Sequence, residues 1–191
     1  QGDFSIAIGA AAGTSNQSTY GIAIGNNAGL ENQGQTSVAI GYNSGQIMQG
    51  ISSISIGNNA GSYSQGTNSV AIGTESGKTG QGDTCVSIGL SAGSYYQSTN
   101  CVAIGEQAGF WSQGLEAIAI GPRAGQTRQA ASCIAIGVEA GNITQGNGAV
   151  AIGIQAGFNK QGSNAVSIGM SAGSYTQGTS SVAIGFWAGL T

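Results

Sequence analysis

A five-residue pattern returns every sixteen residues, and that spacing restricts the fold more than any other feature of the chain. It reads Ser5-Ile6-Ala7-Ile8-Gly9, then Gly21-Ile22-Ala23-Ile24-Gly25, then Ser37-Val38-Ala39-Ile40-Gly41, and runs without a slip to Ser181-Val182-Ala183-Ile184-Gly185. A second landmark follows each time: Ala12-Gly13, Ala28-Gly29, Ser44-Gly45 and onward to Ala188-Gly189. A third is a glutamine opening every coil, usually followed by glycine. Twelve coils of sixteen account for the 191 residues, the last coil being one residue short. The expectation is a single β-solenoid domain over 1–191.

Within the pattern, small and branched residues alternate before a glycine. Period-two alternation with Ile and Val marks a strand, not a helix. The glycine allows the bend that turns a corner. Sixteen residues are too few for a strand–helix unit, so an all-β parallel solenoid follows, with strands pairing to the coils above and below. At about 4.8 Å per coil the rod is roughly 55–60 Å long.

Alternating side chains point to opposite faces, and only one set can face the interior. The branched set is invariably Ile or Val; the small set is Ser, Ala, Cys or Gly at its first position and only Ala or Ser at its second. Burial of one such aliphatic side chain is worth about 1.5–3 kcal/mol, which places Ile and Val inside. The small set then forms a flat outer strip: Ser37, Ala39, Ser53, Ser55, Ser69, Ala71, Cys85, Ser87, Cys101 and Ala103. A solvated face normally drifts in sequence. This one does not, which suggests docking, either between subunits or against an ordered lattice.

The glutamines Gln17, Gln33, Gln49, Gln65, Gln81, Gln97, Gln113, Gln129, Gln145, Gln161 and Gln177 are expected to form a structural ladder of stacked amides. Cys85, Cys101 and Cys133 share the first small position, where they read as small fillers. Cys85 and Cys101 fall in adjacent coils, within Cα range of a disulfide but with parallel side-chain directions. Aromatics gather in the bends: Tyr63, Tyr95, Tyr96, Phe110, Trp111, Phe158, Tyr175, Phe186 and Trp187. They cover coil edges or present a ridge to a partner. Asn16-Gln17-Ser18 and Asn142-Ile143-Thr144 match the glycosylation pattern, a coincidence to be expected in so polar a chain.

Composition argues against catalysis. There is no histidine, and charged residues are 6% of the chain. The carboxylates Asp3, Glu31, Glu75, Asp83, Glu106, Glu116 and Glu139 form no column, so a calcium-binding solenoid is not expected, nor is any cofactor. With a net charge of −3 and no basic stripe, nucleic acid is an improbable partner. Membrane insertion is not expected either, for want of a long apolar run.

The motif Ser-Val-Ala-Ile-Gly-x-x-Ala, as in Ser69-Val70-Ala71-Ile72-Gly73 with Ser76 and Ala149-Val150-Ala151-Ile152-Gly153 with Ala156, resembles the head repeats of trimeric autotransporter adhesins (YadA-like heads). Phage and viral fibre proteins carry similar repeats. The resemblance implies a left-handed parallel β-roll, trimer formation along a repetitive face and an extracellular attachment role. The coils here are longer than is typical, the extra residues lying near Gln-Gly. The leading expectation is a non-enzymatic extracellular or surface-exposed fibre module, on a cell or virion, associating with itself as a trimer or end-to-end filament and meeting a host surface or matrix. The alternative is an ice-binding solenoid, which would use a flat uncharged face to order water.

Overall fold

The computed structural model describes residues 1–189 and is a parallel β-solenoid. One sheet has twelve strands, from Ile6–Ile8 to Val182–Ile184, each the branched–small–branched triplet of the repeat. The other has ten, from Glu31–Gln33 to Thr176–Gln177, each ending on the glutamine. Equivalent residues pair in register between neighbouring coils: Val86 with Val102, Ser87 with Ala103, Ile88 with Ile104, and Gln97 with Gln113. The columns expected from the sixteen-residue spacing are therefore continuous.

Hydrogen bonds tie each coil in both directions. The Val86 amide donates to the Cys101 carbonyl of the next coil (2.9 Å), while the Gly89 amide donates to Ile72 of the preceding one (2.9 Å). Strand backbone is thus satisfied between coils, as buried peptide groups must be.

The corners explain the invariant glycines. Gly41 has φ +128°, and a Cβ there would lie 2.5 Å from the Gly57 carbonyl oxygen of the adjacent coil. No residue with a side chain fits that conformation or that space. Two residues on, Asn27, Asn43 and Asn59 take left-handed backbone angles (φ 55°, 51° and 54°), which asparagine tolerates better than most residues. Their amides stack, Asn27 donating to Asn43 (3.0 Å) and Asn43 to Asn59 (3.1 Å).

The interior is thin and lined by small residues. Ala23, Ala39, Ala71, Ala103, Ala119, Ala135 and Ala151 are fully buried, facing the Ala28, Ala60, Ala92, Ala108, Ala124, Ala140 and Ala156 column. The expected orientation is therefore reversed: the small set faces inward, and Ile and Val face out. Room decides this. A Cβ placed on Gly77 would already sit 3.1 Å from the Ala71 Cβ, so an isoleucine pointing inward has nowhere to go. The larger burial gain of Ile and Val is unreachable in so narrow a coil.

Candidate functional site

All ten residues of the expected outer strip, Ser37, Ala39, Ser53, Ser55, Ser69, Ala71, Cys85, Ser87, Cys101 and Ala103, are buried with no exposed surface. They cannot dock anything. Their restriction in size reflects the interior, and their hydroxyls work there: Ser37 donates to Gly34 (2.7 Å), Ser53 to Gly50 (2.7 Å), and Ser55 to the Gln65 side-chain oxygen (2.6 Å).

The outward face of the twelve-stranded sheet carries two aliphatic rows instead. One contains Val38, Ile54, Val70, Val86, Val102 and Ile118, all half-buried by their neighbours along the row. The other holds Ile88, Ile104, Ile136, Ile152 and Ile168, each 37% exposed. Beyond the corner glycine, Leu90, Val138, Ile154 and Met170 extend the apolar strip over part of the rod. Two branched side chains from each of twelve strands make one continuous uncovered band.

The glutamine column lies inside, and all of its members from Gln17 to Gln177 are buried. From Gln97 to Gln161 the amides form the expected ladder: Gln97 donates to Gln113 (2.5 Å), Gln113 to Gln129 (2.9 Å), Gln129 to Gln145 (2.9 Å) and Gln145 to Gln161 (3.0 Å). The amide also spans the interior to a strand carbonyl of the opposite sheet, outside the ladder as Gln33 does to Ile22 (2.8 Å) and Gln65 to Ile54 (2.8 Å), and within it as Gln113 does to Val102 (3.2 Å). The column is thus a brace between the sheets as well as a ladder along them.

Cys85, Cys101 and Cys133 are free and buried, as fillers would be. Each thiol donates to a carbonyl of the next coil, at Ser98 (2.8 Å), Gly114 (3.0 Å) and Gly146 (2.9 Å). Asn142 is buried, and its side-chain nitrogen donates to the Arg123 carbonyl (2.9 Å), so that glycosylation motif is occupied by a structural contact.

The ten-stranded sheet presents the aromatics. Tyr63, Tyr95 and Trp111 occupy one outward row, with Thr79 between Tyr63 and Tyr95. Tyr95 and Trp111 lie 4.8 Å apart (ring centroids), Tyr95 and Phe110 5.3 Å, and Tyr96 meets Trp111 edge-on at 6.3 Å. Lys78 pairs with Glu75 (2.8 Å). That bond raises the ammonium pKa above its ordinary value; partial burial works against the rise, and the hydroxyls of Tyr95 and Tyr63 add to it. Phe186 and Trp187 stack at 5.2 Å in the last coil.

Residues 49–76 match the family model of the YadA head domain repeat, in two copies. The repeats are similar to YadA head repeats. No curated protein and no solved structure matches the chain. The YadA-like repeat suggests an adhesin-like structural module, of a kind not known as an enzyme fold. Among the described residues, no helix is long and apolar enough to cross a membrane. What the motif hid was the side of the strand on which its Val and Ile stand. The telling signal was the second small position, which admits only Ala or Ser, because solvent limits polarity whereas an interior limits size.

Proposed function

We propose that the chain is an extracellular, surface-displayed adhesive fibre module that associates with itself through its outward Ile and Val rows, as a trimer of parallel rods with left-handed coils. The observation that carries this is the uncovered aliphatic band. Soluble monomers rarely expose contiguous apolar patches beyond a few hundred Å², and a band two branched residues wide over twelve strands exceeds that. Three copies turned inward would cover their bands against one another. The YadA head match supports the adhesive role and the trimer.

Sedimentation velocity and equilibrium on the purified chain test the reading. A trimer whose mass is independent of salt is expected, since the contact is apolar and charge is scarce. A stable monomer at micromolar concentration would overturn it.

Nothing favours ice binding. The flat face is aliphatic, and Thr19, Thr67, Thr99 and Thr179 stand in a bend column interrupted by Gln35, Ile51, Asp83 and Leu115.

A further inference from the structure

The ring cluster of the ten-stranded sheet serves neither the fold nor the aliphatic band. Thr79 and Thr127 occupy the same row as Tyr95 and Trp111 with unchanged pairing, so the solenoid does not need rings there. Tyr63, Tyr96 and Trp111 are 44%, 59% and 45% exposed. Gly80 makes room for one of them: a Cβ there would lie 3.3 Å from the Tyr96 ring. The two sheets enclose the interior between them, so the rings remain free when the aliphatic band is covered.

We propose that Tyr63, Lys78, Tyr95, Tyr96 and Trp111 form a binding site for a neutral glycan chain. The proposal rests on the adhesive reading and names the class of its target. Aromatic faces stack on the C–H faces of pyranose rings, and rigid rings lose little entropy in doing so. Polar groups sit among them: the tyrosine hydroxyls, the Thr79 hydroxyl, the Lys78 ammonium and the Glu75 carboxylate. Lys78 is paired with Glu75, so no free charge stands among these five residues. Arg128, on the strand next to Trp111, is a single cation at the edge of the patch, and one lone cation is a poor hold for a phosphate or carboxylate polymer. A protein partner would need about 800 Å² on this side, and a few rings among short polar residues do not supply it. Successive rows step by about 4.8 Å, close to the length of one sugar unit in an extended chain.

The test uses the full chain carrying Trp187→Phe, which leaves Trp111 as the one tryptophan. Cellohexaose and chitohexaose are titrated while Trp111 emission and its quenching by acrylamide are followed. Saturable protection with at least one of them is expected. Calorimetry should show an affinity loss of about tenfold or more for Tyr96→Ala and Trp111→Ala, about the worth of one ring contact, and no loss for Tyr175→Ala. Absence of saturable binding to both sugars would overturn the proposal, as would binding only to a sialylated oligosaccharide or a proline-rich peptide, or binding that survives loss of both rings. Sedimentation on the same samples keeps the two ideas apart: a monomer that still binds sugar sinks the self-association alone, and a trimer that binds none sinks the glycan site alone.

Discussion

Glutamine shows how much one atom decides in so narrow an interior. Ser55, Ser87 and Ser167 each donate to the side-chain oxygen of the glutamine across from them, Gln65, Gln97 and Gln177. Where alanine stands in that place, at Ala7, Ala23, Ala39 and Ala71, the oxygens of Gln17, Gln33, Gln49 and Gln81 lack a donor among the described residues. Ala39→Ser should therefore supply the missing bond to Gln49 and stabilise the rod by about 0.5–1.5 kcal/mol, read as a higher midpoint in chemical denaturation. Gln113→Leu is the converse. It strands the Gln97 donor, the Gln129 acceptor and the Val102 carbonyl that Gln113 serves (3.2 Å). A loss of about 2–4 kcal/mol is expected in the same measurement.

The thiols belong to this scale too. Burial pushes the Cys133 thiol up. Cys101 is also raised, first by its hydrogen bonding with Cys85 and then by burial, while Cys85 is lowered by the same hydrogen bonding, so Cys133 carries the cleaner effect. A folded thiol that stays neutral loses ground once its unfolded counterpart ionises. Stability is therefore full below about pH 8.5 and falls above it by roughly 1.4 kcal/mol per pH unit and thiol, until the folded group ionises as well. Thermal midpoints measured from neutral pH to about pH 9.5 should fall less steeply in Cys133→Ser than in the parent. Serine already fills the equivalent place at Ser37 and Ser53, so the fold should survive the change.

At the scale of elements, the strands and corners were legible and the direction of the side chains was not. Alternation plus glycine identifies the triplets such as Val70–Ile72, and the spacing aligns them. The inward face, however, depends on the distance between two sheets, which no pattern of apolar residues states. Ranking residues by the gain on burial assumes that the interior can hold them. The aromatic row is the converse case: Tyr63, Tyr95 and Trp111 lie multiples of sixteen residues apart in the sequence, but their neighbourhood with Lys78 and Glu75 arises only once the second sheet forms. Corners carry the sharpest prediction at this scale. Gly41→Ala forces a Cβ against the Gly57 carbonyl in a backbone region closed to alanine. It should cost about 3 kcal/mol or more and raise amide exchange most in the coils on either side, measurable by hydrogen–deuterium exchange.

For the whole molecule, stability and assembly draw on different faces. The interior of Ala, Ser and Gln holds coil to coil, and stability accrues from neighbour to neighbour along the rod. The aliphatic band contributes to this only along its rows. Ile88→Lys with Ile104→Lys should therefore leave the circular dichroism spectrum of the rod in place while shifting sedimentation from the oligomer to the monomer. Side chains at those two positions already reach solvent, at 37% exposure each, so the lysines need not enter the interior.

Strict sixteen-residue register has one further effect, on how such a chain can change over generations. A duplication or loss of one whole period returns every Gln, Ala and corner glycine to its own stack, so the rod grows or shrinks by one step and little else alters. Loss of a single residue throws all later stacks onto the wrong neighbours. Length is thus free to vary in lineages of this molecule, but only in quanta.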